Sequence, residues 1–176
     1  RSHSIETVID KEDENTISLE DFFKLIPKEI LEKMKAEYML FYNDQNKFEL
    51  KTVKITEDKN IKNNEKIFYH GDFNQNGERE GVGKMVVINQ NDEKTFYHGI
   101  WQKDELKKGV IYYPNNIEYK GEIKNLLKNG KGVYTSEAEI YNGEYKDDLK
   151  DGEGLLTFND GIEYKGHFKK DKFNGK

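Results

Sequence analysis

Asp10, Glu12, Glu14 and Asp21 carry side-chain oxygens within the stretch DKEDENTISLED, residues 10–21. Alternating oxygens on a tight loop suit calcium, which takes six or more hard ligands at once. Counted from Asp10, oxygen-bearing side chains fall at positions 1, 3, 5, 9 and 12, and Ile17 falls at 8. The stretch also departs from a calcium loop. Asn15 stands where the sharp turn needs glycine, and Asp21 is shorter than the closing glutamate. Only Arg1–Ile9 precede it, and no second loop follows to pair with it. The plainer reading is an acidic linker running into a capped helix, and motif matches without their context are weak.

Other chemistry finds less support. His70, His98 and His167 sit in separate segments, with no recurring carboxylate or metal-ligand spacing beside them. The chain has no cysteine, so it offers neither thiol chemistry nor a disulfide framework. Its glycine pairs do not follow the strand-to-helix order of a phosphate loop. No catalysis and no cofactor are expected. A net charge of -5 argues against nucleic-acid binding and gives no general attraction to anionic lipid. No apolar run approaches the length needed to span a bilayer.

The glycines reveal the elements behind these residues. All 15 lie between Gly71 and Gly175. They fall into a repeated sentence, clearest in YNGEYKDDLKDGEGLLTF, residues 141–158. It opens on Y-x-G-x-aromatic, passes a charged turn, and closes on G-x-G and an apolar run. Copies start at Tyr69, Tyr97, Tyr119, Tyr141 and Tyr164, the last four spaced by 22 or 23 residues. The second copy is weakest, with Lys107 and Lys108 where the first glycine of its pair belongs. The fifth is cut short at Gly175-Lys176. A fixed period of this length marks a repeat architecture.

Within each copy the side chains alternate with the strand period of two. Tyr141, Gly143 and Tyr145 share one face, and Asn142 and Glu144 share the other. The second strand of each copy adds Met85, Ile111, Tyr134 and Leu156 to the tyrosine side. The opposite side carries His70/Asp72, His98/Ile100, Lys120/Glu122 and Lys165/His167, which predicts a face open to water. Asn159-Asp160-Gly161 and Pro114-Asn115-Asn116 are turn signals between copies. The expected fold is mainly β: a single-layer antiparallel meander, curved, advancing ~10 Å per two-stranded copy.

Residues 1–66 form a different unit, expected to be a small α+β cap with a polar linker, leaving 67–176 to the repeats. Ser18 and Asp21 resemble a capping box. Apolar periodicity predicts helices over 19–26 and 28–38. Met39–Tyr42 and Phe48–Ile55 flank Asn43-Asp44-Gln45-Asn46 and read as a hairpin. The stretch 57–66 reads as a polar loop. The cap's expected role is to shield the open edge of the sheet.

The five copies resemble the MORN repeat, membrane occupation and recognition nexus, with its pattern Y-x-G-x-W/F followed by G-x-G. The resemblance covers about 69–176 and implies a scaffolding or protein-interaction role. Family members occur in cytoskeletal, ciliary and membrane-junction proteins, which implies a cytoplasmic chain associated with the cytoskeleton or a cilium. The expected partner is a helical or extended protein segment in a groove lined by Tyr97, Trp101, Tyr119, Tyr141, Tyr145, Tyr164 and Phe168. Clustered aromatics of this kind are the usual hot spots of interfaces. The competing view is that these rings are simply core. A homodimer through an exposed end is a further expectation.

Two alternatives stand beside the scaffold. One is attachment to phosphoinositide headgroups through Lys165, Lys169, Lys170 and Lys172, or through Lys124, Lys128 and Lys131. Aspartates interrupt both clusters. The other is a regulatory repeat domain of a larger enzyme, or of a calcium-responsive protein if residues 10–21 act as an EF-hand loop.

Overall fold

The structure, a computed structural model, describes residues 17–42, 54–60 and 64–175. Two helices come first. Helix α1 spans Leu19–Lys24 and α2 spans Lys28–Tyr42. Ser18 caps α1 as its spacing predicts: its Oγ accepts the Asp21 backbone N–H at 3.1 Å and donates to the Asp21 carboxylate at 2.7 Å. Pro27 separates the helices and accepts the Leu31 N–H at 3.0 Å.

One expectation about this region fails. Met39–Tyr42 was expected to be a strand, but it is the end of α2. No glycine or proline interrupts the run from Ala36, so nothing stops the helix there. The remainder of the expected hairpin, apart from Lys54 and Ile55, lies outside the described residues.

The rest of the described residues form one sheet of eleven antiparallel strands, each paired with its neighbours in sequence order. They are β1 Lys54–Asn60, β2 Glu65–Phe73, β3 Arg79–Ile88, β4 Lys94–Gln102, β5 Glu105–Tyr113 and β6 Ile117–Lys124. Then follow β7 Leu127–Thr135, β8 Glu139–Lys146, β9 Leu149–Phe158, β10 Glu163–Lys169 and the short β11 Lys172–Phe173. The expected loop over 57–66 is therefore corrected. Lys54–Asn60 pairs residue for residue with β2, from Lys54 opposite Gly71 to Asn60 opposite Glu65. An edge strand needs only its backbone to pair, and charged residues along it discourage further association.

The tight turns within the copies are Lys103-Asp104, Asn125-Leu126, Asp147-Asp148 and Lys170-Asp171. All eight residues have left-handed φ between 48° and 72°. That is the hairpin geometry that matches strand twist. The glycine after the turn has a different task. Gly152, at φ 119°, sits in a bulge where β9 gains two residues over β8 between the pairs Gly143/Gly154 and Tyr145/Lys150. The second copy has one residue fewer there, pairing Gly99 with Gly109 and Trp101 with Leu106. Lys107 and Lys108 replace the glycine because the shorter bulge needs no left-handed residue.

The sheet has two separate cores. One lies on the tyrosine side and runs the length of the repeats. The other lies on the opposite side over β2–β5, where Phe22, Ile26 and Met34 pack on Phe68, Val86, Phe96 and Val110. Each such side chain contributes roughly 1.5–3 kcal/mol through burial. This corrects two expectations. The opposite face is not uniformly open to water, since His98 is fully buried on it. The helices also cover a face of the sheet, while the described edge is formed by β1.

Candidate interaction surface

Nine glycines stand side by side across nine strands. Gly71 pairs with Gly83, then Gly99, Gly109, Gly121, Gly132, Gly143, Gly154 and Gly166 in unbroken register. The row leaves a furrow on the tyrosine side, which Tyr69, Tyr119, Tyr141 and Tyr164 fill, while Leu106 reaches it at Gly99. The phenol of Tyr141 lies over Gly143 and Gly154. Its hydroxyl donates to the carbonyl of Glu144, three residues on, at 3.2 Å. Tyr69 donates to Asp72, Tyr119 to Glu122 and Tyr164 to His167 in the same way. Burial raises the Tyr141 hydroxyl pKa to about 12.

A second line of rings closes on the first. Tyr141 meets Tyr145 at 5.1 Å and Phe168 at 5.0 Å between centroids, both edge to face. Tyr69 meets Trp101 at 5.1 Å. Cations cover what remains. Lys128 Nζ lies 5.3 Å from the Tyr113 ring, 5.8 Å from Tyr134 and 5.6 Å from Tyr145. Arg79 lies 5.1 Å from Trp101, and Lys150 lies 5.1 Å from Tyr141. Such contacts stabilise by about 0.5–2 kcal/mol depending on desolvation.

The seven rings expected to line a groove are thus brought together, but as a ladder closed on itself. Tyr97, Trp101, Tyr119, Tyr141, Tyr145 and Phe168 are buried, and only Tyr164 is half-buried. The rings with surface to offer include Tyr113, Tyr134 and Phe158, all half-buried and packed on the same core. They occupy the second strand of their copies. Its period-two alternation places them on the tyrosine side, and that was the signal available for them.

In three of the four tight turns an aspartate ties one copy to the previous one. Asp104 accepts the Arg79 backbone N–H at 2.8 Å, Asp148 that of Lys128 at 2.8 Å, and Asp171 that of Lys150 at 2.7 Å. Each aspartate N–H donates back to the carbonyl of the same basic residue at 2.9–3.1 Å. The pattern breaks at one junction. There Leu106 takes the place of the base and Leu126 that of the aspartate, and both join the core.

The opposite face is divided into a covered and an open part. Over β2–β5, α1 and α2 enclose a row of basic groups. His70 lies beneath Phe22 and Phe23, with ring centroids 5.5 and 5.3 Å away. Burial and the nearby Lys84 lower its pKa to about 4. His98 Nδ1 stands 3.9 Å from Glu37 Oε2, and Tyr112 donates to the same oxygen at 2.7 Å. Burial lowers the His98 pKa. It works the other way on Glu37, yet the His98 and Tyr112 contacts hold that carboxyl below its usual range. Over β7–β10 the same face is open. A cavity of about 410 Å³ lies there, floored by Gly143, Gly154 and Gly166 and walled by Lys131, Glu144, Leu155 and Lys165.

Asp10, Glu12 and Glu14 of the acidic stretch lie outside the described residues. Asp21 is in α1, engaged by Ser18 and by Lys24 at 3.4 Å. No group of three potential metal ligands occurs among the described residues. Of the basic clusters, Lys128 pairs with Asp148 at 3.2 Å and Lys169 with Asp151 at 3.1 Å. No described helix is long and apolar enough to cross a membrane.

A search of curated proteins finds no match to the chain. The family model of the MORN repeat matches residues 69–86, 119–137, 141–163 and 164–176. The copy left unmatched is the one with the shortened bulge and the leucine junction. MORN repeats are protein- and membrane-interaction repeats without catalytic activity of their own. With its glycine row, tyrosine ladder and four matched stretches, the chain is a MORN repeat protein.

Proposed function

We propose that the protein is a non-catalytic interaction scaffold that holds a partner segment against its sheet within a cytoskeletal or ciliary assembly. One observation carries this reading: three reciprocal aspartate bridges and a shared ring ladder join successive copies into one continuous strip. A strip built in this way presents a long surface of fixed spacing, which suits holding an extended or helical segment. The partner surface on the tyrosine side centres on Tyr113, Tyr134, Phe158 and Tyr164, backed by the buried rings. Membrane attachment is the weaker alternative, because Lys128, Lys150 and Lys169 are each paired with an acid.

The test is detergent fractionation of source cells expressing a tagged full chain, with crosslinking of the retained material. Recovery in the insoluble cytoskeletal fraction, crosslinked to a defined protein, is the expected result. Quantitative release with the detergent-soluble membranes overturns the scaffold in favour of lipid attachment. A Tyr134→Ala variant that keeps its circular dichroism but loses the crosslink would assign the contact to the ring side.

A further inference from the structure

The face opposite the ring ladder carries one uninterrupted row of side chains. It begins His70, Lys84, His98 and Val110, all in register. It continues through Lys120 and Val133 to Asn142, Leu155 and Lys165. The first half is covered by the chain's own helices and the second half by nothing among the described residues. The covered half shows how a helix is held here. Met34 is buried against the sheet, Glu37 accepts from Tyr112, and Lys33 pairs with Glu118.

The open half repeats the elements of that contact. Its floor is glycine backbone, so an approaching side chain reaches the sheet itself. Leu155 and Val133 are half-buried and supply apolar surface. The acids at the cavity are already engaged: Glu144 accepts the Glu153 N–H at 3.0 Å, and Glu153 pairs with His167 at 3.2 Å. The ammonium groups are not. Lys131 and Lys165 are exposed, and neither side chain has a carboxylate partner among the described residues.

We infer that the face over β7–β10 receives an acid-bearing amphipathic helix of a partner protein, as a continuation of the surface that α1 and α2 cover upstream. The partner's apolar stripe rests on Leu155 and Val133, and its carboxylates meet Lys131 and Lys165. This rests on the scaffold reading but assigns the contact to the side away from the rings. A lipid headgroup would satisfy the two lysines but would leave the glycine-floored cavity unfilled.

The probe is a synthetic stapled helix of α2's length, with a leucine stripe flanked by glutamates, titrated against the full chain by fluorescence anisotropy. The wild type should bind it, and Lys131→Glu/Lys165→Glu and Leu155→Asp should each weaken binding about tenfold or more. A probe with lysines in place of the glutamates should prefer the charge-reversed variant. Both lysines are exposed, so that variant is expected to keep its fold, checked by circular dichroism. Equal binding to wild type and charge-reversed protein, or no binding to either, overturns the proposal. So does lysine-dependent flotation of phosphatidylserine vesicles by a chain that ignores the helix. If the charge-reversed chain still crosslinks to its cytoskeletal partner, the scaffold stands and only this site falls.

Discussion

Asp148 and Lys128 bond to each other in both directions. The Asp148 carboxylate accepts the Lys128 backbone N–H at 2.8 Å, and the Asp148 N–H donates to the Lys128 carbonyl at 2.9 Å. The Lys128 ammonium then returns to the same carboxylate at 3.2 Å, among three tyrosine rings. One side chain therefore fixes a turn to the preceding copy and holds the cation that covers the ladder. Asp148→Ala should cost about 2 kcal/mol, from an orphaned N–H and a left-handed alanine. Asp148→Asn keeps an acceptor and tolerates φ 72°, so it should cost less than half as much. Urea denaturation of both variants checks the ratio, and equal losses would mean that charge alone matters.

The junction of Leu106 with Leu126 makes the converse prediction. Leu106 is 1% exposed, in the place other copies give to a base. Leu106→Lys should destabilise by about 3 kcal/mol, because a buried ammonium lacks a partner. Adding Leu126→Asp should recover ~1 kcal/mol or more of that loss, since the two positions are coupled in the other junctions. A double-mutant cycle measures the coupling, and strict additivity would show that the shortened bulge keeps the two positions apart.

The periodicity of the glycines and aromatics was enough to place β2–β10 and to assign Tyr141, Tyr145 and Phe168 to one face. It could not show that those rings are closed off, because the closing groups Arg79, Lys128 and Lys150 read in sequence as turn charges. The burial of His98 was equally hidden. It depends on α2, whose Glu37 lies 61 residues upstream, and no local pattern encodes that contact. Strand β1 escaped notice because an edge strand pairs through its backbone, whatever the polarity of its side chains.

Acid should loosen the helices from the sheet. His70 has a folded pKa of about 4 against 6.5 when free. A base with a depressed folded pKa contributes stability that is complete above its unfolded pKa. That stability falls as the pH drops from 6.5 towards 4, where the unfolded form binds the extra proton. The loss should be on the order of 2 kcal/mol, and His98, shifted in the same direction, adds to it. Denaturation midpoints at pH 7 and pH 4.5 check this against His70→Phe. If the variant shows the same decline, the carboxylates are responsible and His70 is not.

Glycine is required for two distinct reasons, one in the row and one in a turn between copies, and two alanine substitutions separate them. A Cβ at Gly143 would stand 2.5 Å from the Tyr141 oxygen and 2.6 Å from the Gly154 Cα. The ring could turn away, but the neighbouring backbone could not without parting the strands. Gly143→Ala should therefore cost about 3 kcal/mol, and most of that cost should persist in a Tyr141→Ala background. At Gly161 a Cβ meets nothing within 4 Å, but φ is 86°. Gly161→Ala should cost only about 1 kcal/mol, from backbone strain. Tyr141→Phe, which loses only the bond to the Glu144 carbonyl, should also cost about 1 kcal/mol. Thermal unfolding of these single variants, of Tyr141→Ala and of the Gly143→Ala/Tyr141→Ala double variant orders these terms. If Tyr141→Ala abolishes the cost of Gly143→Ala, the row exists to seat the rings; if the cost remains, close strand approach is the primary demand and the rings occupy the furrow it leaves.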